Sequence, residues 1–226
     1  MIADLVPLGV HAGEAFGDDG PDAAVDLFPA ERALVDGVLD DRRAEFTTVR
    51  GCARRALASL GVPPGPLVPG PLGAPVWPAG IVGSMTHCPG YRAAAVARAA
   101  DFAGLGIDAE PCRSLPDVVA RRIVTEAEAR RLREDFAGAC ELPLDRLLFC
   151  AKEAAYKAFS PWLGARFGVR EFRVRLRADG TFGGVAPDSG RLRREIPAAD
   201  FTGRWAVSSG HLLAVVALPV AATTGH

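Results

Sequence analysis

The sequence predicts an α+β fold in which two similar subdomains, residues 1–103 and 104–226, pack as a pseudo-two-fold dimer within one chain. Three observations support this prediction. The chain has 226 residues, 49% of them apolar, which is enough for a full core. Each half runs as helix followed by strands. Short segments also recur: CARRA at 52–56 resembles CAKEA at 150–154, and SMTH before AAAVA resembles SSGH before LLAVVA. The two offsets differ, so the repeat requires an insertion.

Apolar periodicity places the elements of the first half. A strand, two helices and two further strands are predicted at 5–10, 28–39, 41–60, 81–84 and 92–98. The second helix has an apolar stripe at helical spacing, formed by Phe46, Val49, Ala53, Ala56, Leu57 and Leu60. The Pro- and Gly-rich segment 63–78 excludes helix and central strand. The motif THCPGY at 86–91 is expected to form the turn between the last two strands.

The second half is predicted to be helical in its middle and extended at both ends. One strand is expected at 104–108, helices at 125–136 and 143–159, and strands at 169–176, 182–185, 205–208 and 212–218. Thr125 and Glu128 have the spacing of a capping box, which marks the first of these helices. Pro143 falls at the position where a helix tolerates proline.

Composition excludes several classes of protein. The high apolar fraction and the net charge of -1 argue against a disordered chain and a globally basic nucleic-acid binder. The longest apolar run, 212–220, is far shorter than the roughly 20 residues that span a bilayer. No secretory leader is visible. Five scattered cysteines without a CxxC spacing argue against a disulfide framework and zinc: Cys52, Cys88, Cys112, Cys140 and Cys150. We therefore expect a soluble cytoplasmic protein.

Acidic residues form the first candidate site. Asp108 and Glu110 in GIDAEP lie two apart on a predicted strand, so both point to one face. Such a pair can bind a hard cation, although a lone pair of this kind equally fits a solvated strand end. Glu153 on the last helix is a third carboxylate. All-oxygen ligands favour Mg²⁺, which usually completes its shell with a substrate's phosphates.

Basic residues form the second candidate site. Only two of the 26 basic residues are lysines, Lys152 and Lys157, and they lie within one helix. Lys157 is four residues after Glu153, which fits either a helix-stabilising pair or a phosphate contact. His87, Arg42 and Arg50 are further candidates, since guanidinium groups suit bidentate phosphate contacts. No Walker A loop, GxSxG elbow or GxGxxG fingerprint is present.

Three motifs in order resemble one known family. GSMTHCPGYRAAAVA, GIDAEP and FCAKEAAYK, preceded by RRAEFTTVRGCARRAL, are similar to the Sfp-type 4'-phosphopantetheinyl transferases. The resemblance is greatest to the branch of enterobactin synthase component D and its actinobacterial relatives. It extends from about residue 42 to residue 159 and weakens after residue 169. It implies a pseudo-two-fold α+β fold, in agreement with the repeat.

The resemblance also implies an activity. The chain is expected to transfer 4'-phosphopantetheine from coenzyme A to a serine of an apo acyl or peptidyl carrier protein of nonribosomal peptide, polyketide or fatty-acid synthases. The reaction would depend on Mg²⁺, with Mn²⁺ as a second candidate, and release 3',5'-ADP. The branch points weakly to secondary metabolism, including siderophore biosynthesis. By the same analogy we expect a monomer that binds neither nucleic acid nor membrane.

The same resemblance implies roles for individual residues. Asp108, Glu110 and Glu153 would bind the metal with the coenzyme A pyrophosphate, and Glu153 would take the serine proton. Lys157 would stabilise the leaving 3',5'-ADP. Lys152 would be a second phosphate contact. Residues expected to hold or line the phosphate region are Arg42, Arg50, Ser84, Thr86 and His87.

One departure from the family and two alternatives stay open. Relatives often carry a lysine in the loop before the G-x-P-x-W-P segment, whereas this chain has Pro69, or nearby Leu72, at that place. We therefore expect weaker coenzyme A binding than in a lysine-bearing relative. The alternatives to the transferase are a non-catalytic module that binds coenzyme A and carrier proteins, and a Mg²⁺-dependent pyrophosphate hydrolase.

Overall fold

Two antiparallel sheets with related connectivity form the framework of the protein. The computed structural model describes residues 1–70, 73–137, 142–163, 167–189, 192 and 200–220, so Leu72 and Cys140 lie outside the described residues. The strands are β1 Val10–Ala15, β2 Ile81–Cys88, β3 Tyr91–Arg98, β4 Phe102–Pro111, β5 Arg173–Leu176, β6 Thr181–Val185, β7 Asp200–Ser208 and β8 His211–Pro219. The α-helices are α1 Pro29–Arg32, α2 Asp40–Ala58, α3 Asp117–Ile123, α4 Glu126–Asp135 and α5 Leu144–Phe159. Short 3-10 helices occur at Ile2–Asp4, Pro21–Ala24, Ala33–Val35 and Val169–Glu171.

The order of the strands confirms the prediction of two similar α+β subdomains. The first sheet has the order β1-β3-β2, and the second has the order β4-β8-β7-β6-β5. In each, a strand leads through a long helix, α2 or α5, to a hairpin whose last strand lies in the middle of the shared motif. β5 and β6 are the additions that make the second half larger.

The hairpin registers correct the sequence alignment of the two halves. Cys88 pairs with Tyr91, and Ser208 pairs with His211, so Tyr91 and His211 are equivalent positions. The sequence comparison instead equated His87 with His211, four positions out of register. The sequence comparison was wrong because the apolar strand segment begins six residues after His87 but directly after His211. The rings of Tyr91 and His211 pack together, 5.5 Å between centroids.

The core lies in three layers between the two sheets and their helices. Alternate residues of β3 and β8, such as Ala95 and Val215, pack between the sheets. Their neighbours face outward, Val96 against α2 and Val216 against α5. Both central strands are therefore buried on both faces, which explains why they read as continuous apolar runs rather than alternating ones. In the described part of the chain, no helix is long and apolar enough to cross a membrane.

Most predicted elements are confirmed, but several boundaries are wrong. The segment 5–10 is not a strand: Gly9 adopts a positive φ of 88°, and β1 begins only at Val10. The helix expected at 28–39 ends at Arg32 and continues as a single 3-10 turn. Gly37, with φ of 73°, prevents its extension. α3 was missed because its seven residues are too few for a periodic signal.

The second half of β2 was also misassigned. β2 continues to Cys88, and the turn consists of Pro89 and Gly90, the latter with φ of 81°. Thr86 and His87 therefore lie on the strand rather than in the turn. Because side chains alternate along a strand, they point to opposite sides of β2. The strand predicted from 169 begins at Arg173, after the 3-10 turn.

Glycine allows α5 to approach β4 closely. A Cβ atom at Gly106 would collide with the backbone of Ala154 and Ala158 on α5. Gly13 on β1 has the same relation to Cys52 on α2. The helix and strand of each half thus make contact through backbone atoms, which a larger residue would separate.

We expect Gly106→Ala to lower the free energy of unfolding by about 1–3 kcal/mol, because neither backbone segment can move without disturbing a packed layer. Gly65→Ala is the matched control, since a Cβ atom at Gly65 meets nothing within 4 Å. Urea unfolding of both variants measures the difference. Equal stabilities would contradict this account of the contact.

Candidate active site

Side chains join the two sheets where their edge strands β2 and β4 meet. The Ser84 hydroxyl accepts the Ile107 N–H, at 3.1 Å between heavy atoms, and the Thr86 hydroxyl accepts the Ala109 N–H, also at 3.1 Å. Both hydroxyls are buried. They satisfy backbone donors that an edge strand would otherwise leave unpaired. The structure brings Ser84 into the lining of a cavity, but Thr86 does not reach that lining.

The three predicted carboxylates lie at this junction. Thr86 donates to Asp108 Oδ1 over 3.1 Å, while Asp108 Oδ2 is buried and has no hydrogen-bond partner. Glu110 accepts from Arg146 Nη1 over 2.7 Å. Glu153 is half-buried on α5 and has no hydrogen-bond partner among the described residues. The sequence placed Asp108 and Glu110 on one face correctly, but gave no sign of Arg146 as a partner.

The carboxylates repel one another. Burial and the charge of Asp108 raise the pKa of Glu153 to about 7. Burial and the same neighbour raise the pKa of Glu110. A cation would relieve this repulsion, and the donors are all oxygen atoms. As the described side chains stand, however, no three His, Cys, Asp or Glu residues converge as a metal-binding group.

Lys157 belongs to the same cluster. Its ammonium donates to Asp108 Oδ1 over 2.6 Å and to the Ile107 carbonyl over 3.1 Å. Burial alone would lower its pKa, but Asp108, Glu153 and Cys150 together outweigh that effect, so the pKa of Lys157 is raised. Lys157 therefore carries a positive charge that is held beside the carboxylates and open to the neighbouring cavity.

Lys152 lies elsewhere, which corrects the expectation of a phosphate contact. Its side chain is 0% exposed. Its ammonium donates to Glu128 over 2.9 Å and to the Ile123 carbonyl over 3.0 Å. Successive helix residues are about 100° apart, so Lys152 faces α3 and α4 while Glu153 faces β4. Lys152 ties the helices of the second half together and does not reach the cleft.

The predicted phosphate ligands lie on the other side of β2. Arg42 Nη1 donates to His87 Nε2 over 2.8 Å and to Glu45 over 3.0 Å. Arg50 is buried over the ring of Phe46, 3.2 Å from its centroid. Burial lowers the pKa of Arg50 to about 10. The structure brings these three side chains together, whereas Glu45, which neutralises Arg42, was not singled out from the sequence.

Two cavities meet beneath the loop after α2. One, of about 410 Å³, is mainly apolar and carries Glu153 and Lys157 on its wall. The other, of about 370 Å³, is lined by Arg42, Arg50 and His87. Residues common to both linings are Gly73, Pro75 and Met85. The two cavities therefore adjoin at these three residues, and we call the pair the bipartite cleft: Arg42 and Arg50 line its cationic end, and Glu153 and Lys157 line its apolar end.

Comparison with known proteins identifies the family. Residues 30–97 match the 4'-phosphopantetheinyl transferase N-terminal domain, and residues 104–215 match the 4'-phosphopantetheinyl transferase superfamily. The 4'-phosphopantetheinyl transferase Svp of Streptomyces mobaraensis is 46% identical over 226 residues, which cover 100% of this chain and 91% of that protein. The chain belongs to the 4'-phosphopantetheinyl transferase family. It is therefore a transferase, as the sequence motifs predicted.

Two further relatives show how the similarity is distributed. The 4'-phosphopantetheinyl transferase Npt of Nocardia iowensis is 38% identical over 228 residues, covering 96% of this chain and 99% of that protein. Enterobactin synthase component D of Escherichia coli strain K12 is 38% identical over 119 residues, covering 52% of this chain and 54% of that protein. The actinobacterial transferases thus match the whole chain, and the enterobactin enzyme matches about half.

We expect His87 to make a contribution to the unfolding free energy that rises with pH up to about 6.5, while the raised pKa values of Glu153 and Glu110 make contributions of the opposite sign over the same range. Burial and the neighbouring Arg42 lower the pKa of His87 below the ordinary value of 6.5. Between the two pKa values of His87 the unfolded chain binds the proton that the folded protein excludes, so the His87 contribution increases with pH there and levels off above. The unfolding free energy of the wild type minus that of His87→Gln should therefore rise with pH, and the same difference should rise less in an Arg42→Gln background. Urea unfolding between about pH 5 and 8 measures both effects. An imidazole that titrates above 6.5 by NMR would contradict the prediction.

Proposed function

We propose that this enzyme transfers 4'-phosphopantetheine from coenzyme A to a serine hydroxyl of an apo carrier protein and releases 3',5'-ADP. The bipartite cleft is the observation that carries the proposal. Its cationic end suits the phosphates of the nucleotide, and its apolar end suits the pantetheine arm. Glu153 and Lys157 line the wall of the apolar cavity, and Asp108 accepts from Lys157, so the pyrophosphate would lie against this wall. The names of the full-length relatives support the same activity.

The nucleotide end is assigned to two guanidinium groups and one imidazole. Arg42, Arg50 and His87 would hold the 3'-phosphate and the neighbouring pyrophosphate oxygens. A planar guanidinium offers two parallel donors to a phosphate, and Arg42 is accessible enough to do so. Ser84 would contribute to the binding site as part of the wall of the apolar cavity. Thr86 would act indirectly, because it is buried and holds Asp108. Lys152 is omitted, since its ammonium is already paired within the fold.

The carboxylates fit a divalent cation. The buried and unpartnered Asp108 Oδ2, together with the raised pKa values of Glu110 and Glu153, favours a positive charge at this place. Asp108, Glu110 and Glu153 would hold Mg²⁺, or Mn²⁺ as a second candidate. When bound, the ion would neutralise charge on the pyrophosphate.

The chain's own residues would carry the remaining chemistry. The serine oxygen of the carrier attacks the phosphorus that bears pantetheine, and the bond from that phosphorus to the bridging oxygen breaks. The serine proton passes to the Glu153 carboxylate, which acts as the general base. Lys157 faces the oxygen that departs with 3',5'-ADP and neutralises its charge. This chemistry needs positioning and charge neutralisation but no nucleophile from the enzyme.

The remaining assignments are part of the proposal. We infer a division of the chain into residues 1–103 and 104–226, with the second subdomain carrying the metal-binding carboxylates. The proposed partners are carrier proteins of nonribosomal peptide, polyketide or fatty-acid synthases, including those of siderophore biosynthesis. The protein would act as a cytoplasmic monomer without nucleic acid or membrane as partners. The two alternatives predict different outcomes of the same assay. A hydrolase would release 3',5'-ADP without a carrier protein, and a binding module would bind coenzyme A without forming a product.

We expect Glu153→Gln to lower the rate of transfer by about 10²–10⁴-fold, the usual contribution of a general base, without loss of stability. Intact-mass analysis of an apo carrier protein, incubated with coenzyme A and Mg²⁺ beside an EDTA control, measures the gain of one phosphopantetheine. Glu134→Gln is the control variant, because Glu134 is an exposed residue of α4. Release of 3',5'-ADP without a carrier would favour the hydrolase. Binding of coenzyme A without either product would favour the binding module.

We expect Pro69→Lys to tighten coenzyme A binding. Pro69 lines the cationic cavity and supplies no donor, at the place where relatives often carry lysine. An added ammonium on this exposed loop should lower the dissociation constant a few-fold, and the gain should shrink with added salt. Pro64→Lys is the matched control, because it makes the same proline-to-lysine change at a position of the loop that lines neither cavity. Calorimetric titration that finds no tightening in Pro69→Lys would contradict the proposed loss of a phosphate contact.

A further inference from the structure

The carboxylate of Glu31 is buried outside the cleft and contacts three segments of the first half: its own helix α1, the helix α2 and the loop after α2. It lies on α1, and its side chain is 0% exposed. It accepts the Leu67 N–H over 2.9 Å and the Phe28 N–H at the start of its own helix over 2.9 Å. Glu31 belongs to neither cavity lining. A buried carboxylate is costly unless it is paired, so its partners indicate what it is for.

Two arginines of α2 approach Glu31 from the other side. Arg54 donates to it directly. Arg50 Nε lies 3.9 Å from Glu31 Oε1, and this Nε has no hydrogen-bond partner. One carboxylate thus faces two guanidinium groups in a buried place. The charge on Arg50 is only partly neutralised, and its guanidinium remains on the wall of the cationic cavity.

Leu67 is held at both of its peptide groups. Its N–H is bound by Glu31, and its carbonyl accepts from Arg50 Nη2 over 3.2 Å. Its side chain is fully buried. The segment that follows supplies Pro69 to one cavity, Trp77 to the other, and Pro75 to both. The two bonds at Leu67 therefore fix this wall of the cleft relative to α2.

We propose that Glu31 is a positioning residue for the nucleotide end of the substrate. It acts through Arg50, whose guanidinium it holds between the Phe46 ring and the Leu67 carbonyl, in the orientation that faces the cavity. This inference rests on the proposed function, because it takes the cationic cavity to be the site of 3',5'-ADP. Residues that fix the orientation of a binding group commonly affect affinity nearly as much as the group itself.

Glu31→Gln tests the inference. With its amide oxygen in the place of Oε1, glutamine still accepts the Leu67 N–H and loses the charge that faces Arg50, while its NH2 group replaces the Oε2 that accepts from Phe28 and Arg54. We expect the dissociation constant for 3',5'-ADP, measured by calorimetry, to rise about tenfold. The KM for coenzyme A should rise by a similar factor, with kcat changed less than about twofold, since Glu153 and Lys157 are untouched. If Glu31 contributed only to stability, the folded variant would have the same dissociation constant for 3',5'-ADP and the same KM as the wild type.

Glu14→Gln is the matched control. Glu14 also accepts a backbone N–H, that of Ala3, over 2.6 Å, and pairs with a cation, the N-terminal ammonium, over 3.2 Å. It lines neither cavity. We expect Glu14→Gln to leave 3',5'-ADP affinity and KM unchanged, even where it lowers the unfolding free energy.

A double-mutant cycle tests whether Glu31 acts through Arg50. In the Arg50→Gln background, Glu31→Gln should weaken 3',5'-ADP binding by less than about twofold, because the group that it orients is already absent. The same tenfold loss in both backgrounds would overturn the inference.

The remaining outcomes also decide the matter. If Glu31→Gln does not give folded protein by near-ultraviolet circular dichroism, Glu31→Asp replaces it. Aspartate keeps the charge but sets the carboxylate back from Arg50 by one methylene, so the dissociation constant for 3',5'-ADP should still rise, by less than tenfold. If neither folds, Glu31 serves the fold as a whole and the inference is overturned. Wild-type protein that neither binds 3',5'-ADP nor transfers phosphopantetheine would contradict the proposed function itself. Wild-type protein that does both, with Glu31→Gln unchanged, would overturn only the role of Glu31.

Discussion

The hydroxyl groups of Ser84 and Thr86 join two separate sheets, and the geometry of the cleft depends on that junction. Each hydroxyl accepts a backbone N–H of β4, so the edges of the two sheets are satisfied without a continuous ladder. Thr86 also donates to Asp108. The bonds that join the halves therefore fix the central carboxylate as well. Apolar packing between β3 and β8 holds the sheets against each other beneath the junction, so the polar bonds have only to set the register.

The carboxylate cluster works against the stability of the fold that holds it. Asp108 and Glu110 have cationic partners in Lys157 and Arg146, while Glu153 has none among the described residues. Burial of like charges raises the pKa of Glu153 to about 7. A protein interior tolerates such an arrangement only where the surrounding core is rigid. Here α5 lies against β4 through Gly106, which fixes Glu153 relative to Asp108.

Cationic side chains have different roles in this chain, depending on where they lie in the fold. Lys152 and Lys157 lie five residues apart on α5, yet one is buried with Glu128 and the other is held by Asp108 at the cleft. Their positions on the helix differ by about 140°, which directs them to different neighbours. Arg50 combines both purposes, since it supports the Leu67 carbonyl and also faces the cationic cavity. Charge alone therefore does not indicate the role of a residue.

The sequence by itself determined the fold class, the long helices, the central strands and the family. Periodicity defined α2 and α5 because each buries a wide apolar stripe, and motif order identified the transferase because three spaced motifs rarely coincide. The position of a turn was predicted less accurately: the turn after β2 lies at Pro89 and Gly90, whereas His87, which the sequence placed in the turn, lies on the strand. Only the tertiary structure decided that Lys152 is internal, that Arg146 pairs with Glu110, and that Glu31 faces Arg50 and accepts the Leu67 N–H. These contacts join residues that are distant in the chain, and their distances follow from how the sheets and helices pack rather than from any local pattern.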